Sequence, residues 1–289
     1  MQSLDPARVA IDQSYEEFID ELPDELRSAA RELPLLLGLT TRAGVCWTDA
    51  VAEPVILGLP TLLLGALAAR IKPELRASAQ RAHLFAMITA MIHERVDNGS
   101  VEVDGQLDAL LLAIERQRHR ALAELRLLGA DRNASFMAAE RETRSATAAE
   151  RAVFERRSEA KLPNYVAICC GKHSLAFPAT MAAVVAAGAD LDELGHVHEV
   201  ILGVMLGVAA RGELLERSER ARANRSWVVA LTVDRERAEV VGEMVDLAAG
   251  AFTRAAASAR ALGADELARW AQQQADQLRT QLRDRRHAA

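Results

Sequence analysis

Apolar residues recur along the chain at intervals of three and four, the spacing that places them on one face of an α-helix. The segment Asp104–Leu128 carries such a stripe. Glycine and proline separate segments of this kind from one another. The predicted helices are Pro6–Leu22, Asp24–Leu39, Trp47–Leu57, Thr61–Arg70, Pro73–Val96, Asp104–Leu128, Asn133–Arg157, Tyr165–Cys170, Ser174–Ala187, Leu191–Arg211, Arg235–Leu262 and Asp265–Arg286.

Three segments, Phe85–His93, Ala176–Ala187 and Val200–Ala210, are apolar on nearly all sides. Helices of this kind lie in the middle of a multi-helix bundle, whereas the polar, alanine-rich segment Asn133–Arg157 is predicted to be peripheral. No internal repeat or long linker interrupts the chain. We therefore predict one all-α domain over residues 1–289, with the helices of residues 1–40 packed on the outside and residues 235–289 forming the last helices.

The composition agrees with a helical protein, and the charge balance argues against one class of partner. Half of the 289 residues are apolar, but only 4% are aromatic, and the residues that favour strands are sparse. The 35 Lys and Arg residues stand against 41 Asp and Glu residues, a net charge of −6. This evenly mixed, mildly acidic balance argues against general binding of nucleic acid.

The cysteines and the N-terminal region predict a cytoplasmic location. Cys46 stands alone, while Cys169 and Cys170 form an adjacent pair; this pattern is typical of a reducing compartment, where cysteine is a small core residue. The N-terminal region is acidic and polar and resembles no signal peptide. The apolar run Val51–Ala69 contains Glu53 and two prolines, so we predict no membrane span there.

The first candidate site is the polar end of the helix LFAMITAMIHERVDNG. Glu94 and Asp97 are three residues apart, so they project from one helix face. Mg²⁺ prefers oxygen ligands and is commonly held by one or two carboxylates together with substrate phosphates. The pair is therefore a candidate Mg²⁺ or diphosphate site, and a solvated helix end before the turn at Gly99 is the alternative.

The second candidate site is basic and lies between two apolar helices. Lys172 in the sequence Gly-Lys-His-Ser would stand beside the free N–H groups of the following helix, an arrangement that binds anions. Arg156, Arg157 and Lys161 add positive charge upstream. An ordinary helix–helix turn is the alternative.

The third candidate site follows the apolar helix Val200–Ala210. Glu213, Glu216 and Glu219 recur at every third position, Arg211 precedes them, and further arginines lie between and after them, the last being Arg225. A solvated helix face with ion pairs of little energetic weight is the alternative. The chain contains no HExxH, CxxC, GxGxxG or P-loop sequence.

In their order and spacing, these three sites resemble the class I isoprenoid synthase fold of polyprenyl diphosphate synthases and terpene cyclases. AMITAMIHERVDNG resembles the first aspartate-rich motif of that family. ERRSEAKLPNYVAICCGKHSLAFPATMAAVV resembles its basic, phosphate-facing stretch. GHVHEVILGVMLGVAARGELLE resembles its second acidic helix, and RANRSW resembles the basic loop that follows. The resemblance implies a helical bundle around a central apolar cavity.

The resemblance also implies roles for individual residues. Metal ligands would be Glu94 and Asp97, with Glu213 and Glu216 as a second Mg²⁺ site, and Arg225 would assist ionisation of the substrate diphosphate. Lys172 and Arg211 would contact that diphosphate. The apolar chain would lie against Phe85, Phe177, Met181 and Met205.

Three functions are compatible with these residues. The first is a divergent terpene synthase-like enzyme that ionises, cyclises or transfers an isoprenyl diphosphate with Mg²⁺. The second is a catalytically degenerate binding or regulatory subunit, either a homodimer or a partner of an active synthase, which the absence of paired aspartates near Arg211 favours. The third is a metal-independent bundle that binds a lipid or another small molecule.

Overall fold

The computed structural model describes residues 5–97, 99–127, 133–215 and 226–287, and over these ranges the chain is helical and contains no strand. The predicted all-α class is confirmed. The helices are α1 (Asp5–Glu21), α2 (Asp24–Leu36), α3 (Trp47–Ala50), α4 (Val55–Ala66), α5 (Pro73–Asp97), α6 (Gly105–Leu127), α7 (Asn133–Phe154), α8 (Leu162–Lys172), α9 (Pro178–Ala186), α10 (Leu191–Leu215), α11 (Trp227–Leu231), α12 (Arg237–Ala261) and α13 (Asp265–His287).

The predicted helices match these bounds to within four residues at each end, except around the prolines at positions 54 and 60. The predicted helix Ser174–Ala187 begins only at Pro178, after a short 3₁₀ turn at Ser174–Ala176. The predicted helix Trp47–Leu57 is divided, because α3 ends at Ala50 and α4 begins only at Val55. A residue that precedes proline is disfavoured in the helical conformation, which accounts for the break before Pro54. Pro60, predicted to separate two helices, instead lies inside α4.

Side chains of α5 compensate for the proline within α4. Because Pro60 has no N–H group, the carbonyl of Ile56 loses its helical partner, and Nε2 of the buried His83 lies 2.7 Å from that oxygen. Gln80 donates to the carbonyl of Leu57 at 2.8 Å and accepts from the backbone N–H of Thr61 at 3.2 Å. Two buried polar residues of α5 therefore satisfy the backbone of the interrupted helix.

The chain divides into two compact units, each with its own buried interior. Unit 1 comprises residues 1–133 and 178–190, and unit 2 comprises residues 134–177 and 191–289. In unit 1, α5 is central and Phe85 packs against Phe18 and Tyr15 with ring centroids 5.1 and 6.5 Å apart. The organisation as one domain stays a prediction.

In unit 2, helices α10 and α12 approach each other through glycine and alanine. A Cβ atom at Gly203 would lie 2.6 Å from the carbonyl oxygen of Ala251, and one at Gly207 would lie 2.8 Å from the ring of Phe252. The facing side of α12 carries alanine at positions 248, 251, 255 and 259, all fully buried. Because Gly203 and Gly207 have no Cβ atom, α10 can approach α12 this closely.

By length and composition, one helix among the described residues, Leu191–Leu215, is apolar enough to cross a membrane. Half of its most apolar window is buried inside the protein. The core helix of a protein outside the membrane has the same properties, so this helix gives no clear membrane span.

Candidate functional site

Trp227 is the centre of a buried polar cluster in unit 2. Its side chain is 1% exposed, and its ring contacts those of Tyr165 and Phe154 at centroid distances of 5.2 and 5.8 Å. The indole Nε1 donates to Oε1 of Glu150 at 3.0 Å. The backbone N–H of Trp227 donates to Oε2 of Glu213 at the same distance. The first residue of α11 therefore joins carboxylates of α7 and α10.

Lys172, a predicted phosphate ligand, is paired within this cluster. Its Nζ lies 2.7 Å from Oε2 of Glu150, and both side chains are more than four-fifths buried. A buried ammonium group needs an anionic partner, and Glu150 supplies one. The carboxylate of Glu150 thus serves two donors, the ammonium of Lys172 and the indole of Trp227.

The predicted acidic site on α10 has a comparable structural role. Oε2 of Glu213 accepts from the hydroxyl of Ser226 and from the backbone of Trp227, each at 3.0 Å. An acceptor at a helix start satisfies an N–H group that the helix leaves without a partner. Arg211 donates to Oε1 of the buried Gln274 on α13 at 2.6 Å. Glu216 and Arg225 lie outside the described residues.

Burial suppresses the acidity of two further groups beside Trp227. Desolvation raises the pKa of the Cys169 thiol to about 12, and it also raises the pKa of Tyr165. The Cys169 thiol therefore stays protonated near neutral pH and is a poor nucleophile. The prediction that Cys169 is a core residue agrees with its 5% exposure.

A cavity of about 1040 Å³ lies in unit 2, next to the cluster. Phe154 both lines this cavity and contacts the ring of Trp227. The cavity is formed by the end of α7, the connection to α8, the start of α8, α11 and the residues after it. Its apolar walls are Val153, Phe154, Leu162, Val229 and Leu231. This volume is at the upper end of the range typical of small-molecule sites.

Charged residues of both signs line the cavity, and most of them are paired. Lys161 lies 2.9 Å from Glu159, and Glu155 is bonded to Arg157. Arg235 forms a two-pronged contact with Glu243, at 2.6 and 3.0 Å, and also bonds Glu239. Hydrogen bonds from Arg235 hold the pKa of Glu243 below its usual value, and those to the two glutamates raise the pKa of Arg235.

Two charged residues of the lining form no ion pair with the described part of the chain. They are Arg156, which is exposed, and Asp234, which follows α11. Arg156 also has a φ angle of 58°, the only positive φ at a residue other than glycine within the described ranges. The cavity therefore contains one available cation, one available carboxylate and an apolar wall.

The other predicted site residues are divided between the two units. In unit 1, Glu94 is half-buried and Asp97, the last residue of α5, is exposed; Phe85 is fully buried and Met181 half-buried. In unit 2, Met205 is buried in α10, and the half-buried Phe177 lies with its ring centroid 4.9 Å from that of His198. A cavity shared by Glu94 and Glu213 stays a prediction.

The carboxylates supply only part of a Mg²⁺ site. No group of three or more His, Cys, Asp or Glu side chains is arranged to hold a metal ion within the described ranges. Glu94 and Asp97 would provide two oxygens, and a ligand phosphate and water would have to complete the shell. Glu213 fits less well, because its Oε2 atom already accepts two hydrogen bonds.

Comparison with protein-family models, curated proteins and solved structures gives no significant match. The chemistry of the site therefore has to follow from the side chains that form it. Those side chains form two distinct places. One is a closed polar cluster around Trp227, in which Glu150, Lys172 and Glu213 have partners and the buried hydroxyl of Tyr165 has none among the described residues. The other is an open cavity beside it.

Glu150 was not among the predicted site residues, although its position on α7 carries a signal. On α7 the buried residues Phe136, Ala139, Ala146 and Val153 recur at helical spacing, and Glu150 lies on the same stripe. A carboxylate on an apolar stripe indicates a buried partner. Helix α11 was also not predicted, because five residues give too short a pattern.

Proposed function

We propose that the chain binds an isoprenyl diphosphate in the unit 2 cavity, without metal-dependent turnover. It would be a catalytically degenerate protein of the isoprenoid synthase type, located in the cytoplasm. The diphosphate would lie toward Arg156 and Lys161, and the prenyl chain would lie against the apolar walls formed by α7, α8 and α11.

The observation that carries this proposal is the composition of the cavity lining. The connection from α7 to α8 contributes basic residues, and this is the stretch that resembles the phosphate-facing segment of the synthases. Apolar residues of α7, α8 and α11 line the same cavity. A ligand with an anionic head and a long apolar chain matches both parts of the lining.

The contacts of the predicted site residues favour binding over turnover. Lys172 is held by Glu150, Glu213 caps α11 and Arg211 bonds Gln274. Lys172 and Arg211 already have partners in the protein, so an incoming diphosphate would have to share or displace them. Displacement would leave buried polar groups without hydrogen bonds. Pairing with a second copy or with an active synthase stays a prediction.

Calorimetric titration of the full chain with farnesyl diphosphate tests the proposal. We expect similar affinity in EDTA and in MgCl₂, since the proposed site uses side-chain cations rather than metal, and no release of inorganic diphosphate. The Glu94→Gln/Asp97→Asn double variant should bind as the unsubstituted chain does. Mg²⁺-dependent turnover that this double variant abolishes would instead support the terpene synthase-like enzyme. Absence of binding would contradict both the binding protein and the enzyme.

A further inference from the structure

The end of α7 has the same backbone hydrogen bonds as the ends of four other helices, but a different type of residue occupies its left-handed position. Helices α2, α5, α9 and α12 each end in a paired set of backbone hydrogen bonds that requires a left-handed residue. In those four helices the left-handed residue is a glycine, at positions 38, 99, 188 and 263, with φ between 65° and 75°. Glycine is the usual residue there because it has no Cβ to clash with the backbone.

At the end of α7 the same position is occupied by Arg156. The N–H of Arg157 donates to the carbonyl of Ala152 at 2.8 Å, and that of Arg156 donates to Val153 at 3.0 Å, as in the glycine-ended helices. A non-glycine residue in this conformation is strained. The chain therefore retains an arginine where glycine would be more stable.

The side chain of this strained residue is the available cation of the cavity. Arg156 lines the cavity and has no ion-pair partner in the described part of the chain, whereas Lys161 and Arg235 in the same lining are bound to glutamates. Arg157, the next residue, is bound to Glu155 and does not line the cavity. Strain, position and availability thus coincide at one residue.

We propose that Arg156 selects a phosphorylated ligand over its unphosphorylated alcohol in the unit 2 cavity. This inference rests on the proposed function, whose ligand it makes more specific. A guanidinium group donates two parallel hydrogen bonds to phosphate oxygens. Asp234, the available carboxylate of the lining, would repel the same ligand and so lower its affinity.

Farnesyl diphosphate, farnesol and inorganic pyrophosphate, each titrated into the full chain, test this inference. We expect Arg156→Gly to weaken binding of farnesyl diphosphate about tenfold and to leave farnesol binding unchanged. The same variant should raise the Tm by about 2 °C, because it relieves the left-handed conformation. Arg156→Lys should keep part of the affinity without raising the Tm.

Two further variants serve as controls. Arg237→Gln removes the charge of an exposed arginine at the start of α12 that does not line the cavity and forms no ion pair within the described residues, so it should change neither farnesyl diphosphate affinity nor farnesol affinity. Asp234→Asn should strengthen binding of farnesyl diphosphate. Equal losses in Arg156→Gly and Arg237→Gln, or unchanged affinity in Arg156→Gly, would overturn the role of Arg156 while leaving the proposed function in place. If the unsubstituted chain binds none of the three probes, the proposed function is wrong and this inference is wrong with it.

Discussion

Replacing Gly203 by valine is expected to lower the free energy of unfolding by about 3 kcal/mol. The obstacle to a side chain at this position is the carbonyl oxygen of Ala251, only 2.6 Å from where a Cβ would lie. A backbone atom cannot rotate away as a side chain can, so α10 and α12 would have to separate. Equilibrium unfolding in urea, followed by circular dichroism, measures the loss.

Two other glycines of α10 provide matched controls. Gly212 has open space around its missing Cβ, so Gly212→Ala should stabilise the chain by about 0.5–1 kcal/mol through helix propensity alone. Gly207→Ala would meet the ring of Phe252, and its cost should fall when Phe252→Leu is introduced with it. If Gly203→Val and Gly212→Ala had similar effects, the close approach of α10 and α12 would be disproved.

Replacing Glu150 by alanine is the second substitution with a large expected effect, a loss of about 3 kcal/mol of stability. It removes the carboxylate that neutralises Lys172 at 2.7 Å, and it also removes the acceptor of the Trp227 indole N–H. Both donors are buried, so water does not fully replace the lost oxygens. Chemical denaturation monitored by Trp fluorescence and circular dichroism measures the loss.

A double-mutant cycle separates the two contributions of Glu150. Glu150→Gln keeps an acceptor for Trp227, so we expect it to be less harmful than Glu150→Ala. The double variant Glu150→Leu/Lys172→Met replaces the ion pair by apolar groups, and it should be more stable than either single substitution. Strict additivity in this cycle would show that the two side chains are not coupled.

Much of the fold follows from local patterns. Apolar spacing locates α5, α6 and α12 to within two residues at each end, because each is long and ends at a glycine or proline signal. The exceptions depend on distant partners. Pro60 remains inside α4 because Gln80 and His83, about twenty residues away, take over the hydrogen bonds that it disrupts.

The candidate site was predictable only in part, for the same physical reason. Lys172 and Glu213 stand out in the sequence as charges beside apolar helices, but their partners Glu150 and Ser226 are set by tertiary packing. The residues that line the cavity belong to two segments, between positions 153 and 163 and between positions 229 and 243. No local pattern joins two segments so far apart in the chain. The strain at Arg156 is a backbone property that the residue type does not reveal.

Photoaffinity labelling with a farnesyl diphosphate analogue that carries a diazirine on its chain tests the central claim most directly. The cavity proposal predicts cross-links within residues 153–163 and 229–235, both of which line the cavity, and competition by unlabelled farnesyl diphosphate in EDTA. Cross-links confined to the segment around Met91 and Glu94, and dependent on Mg²⁺, would contradict it.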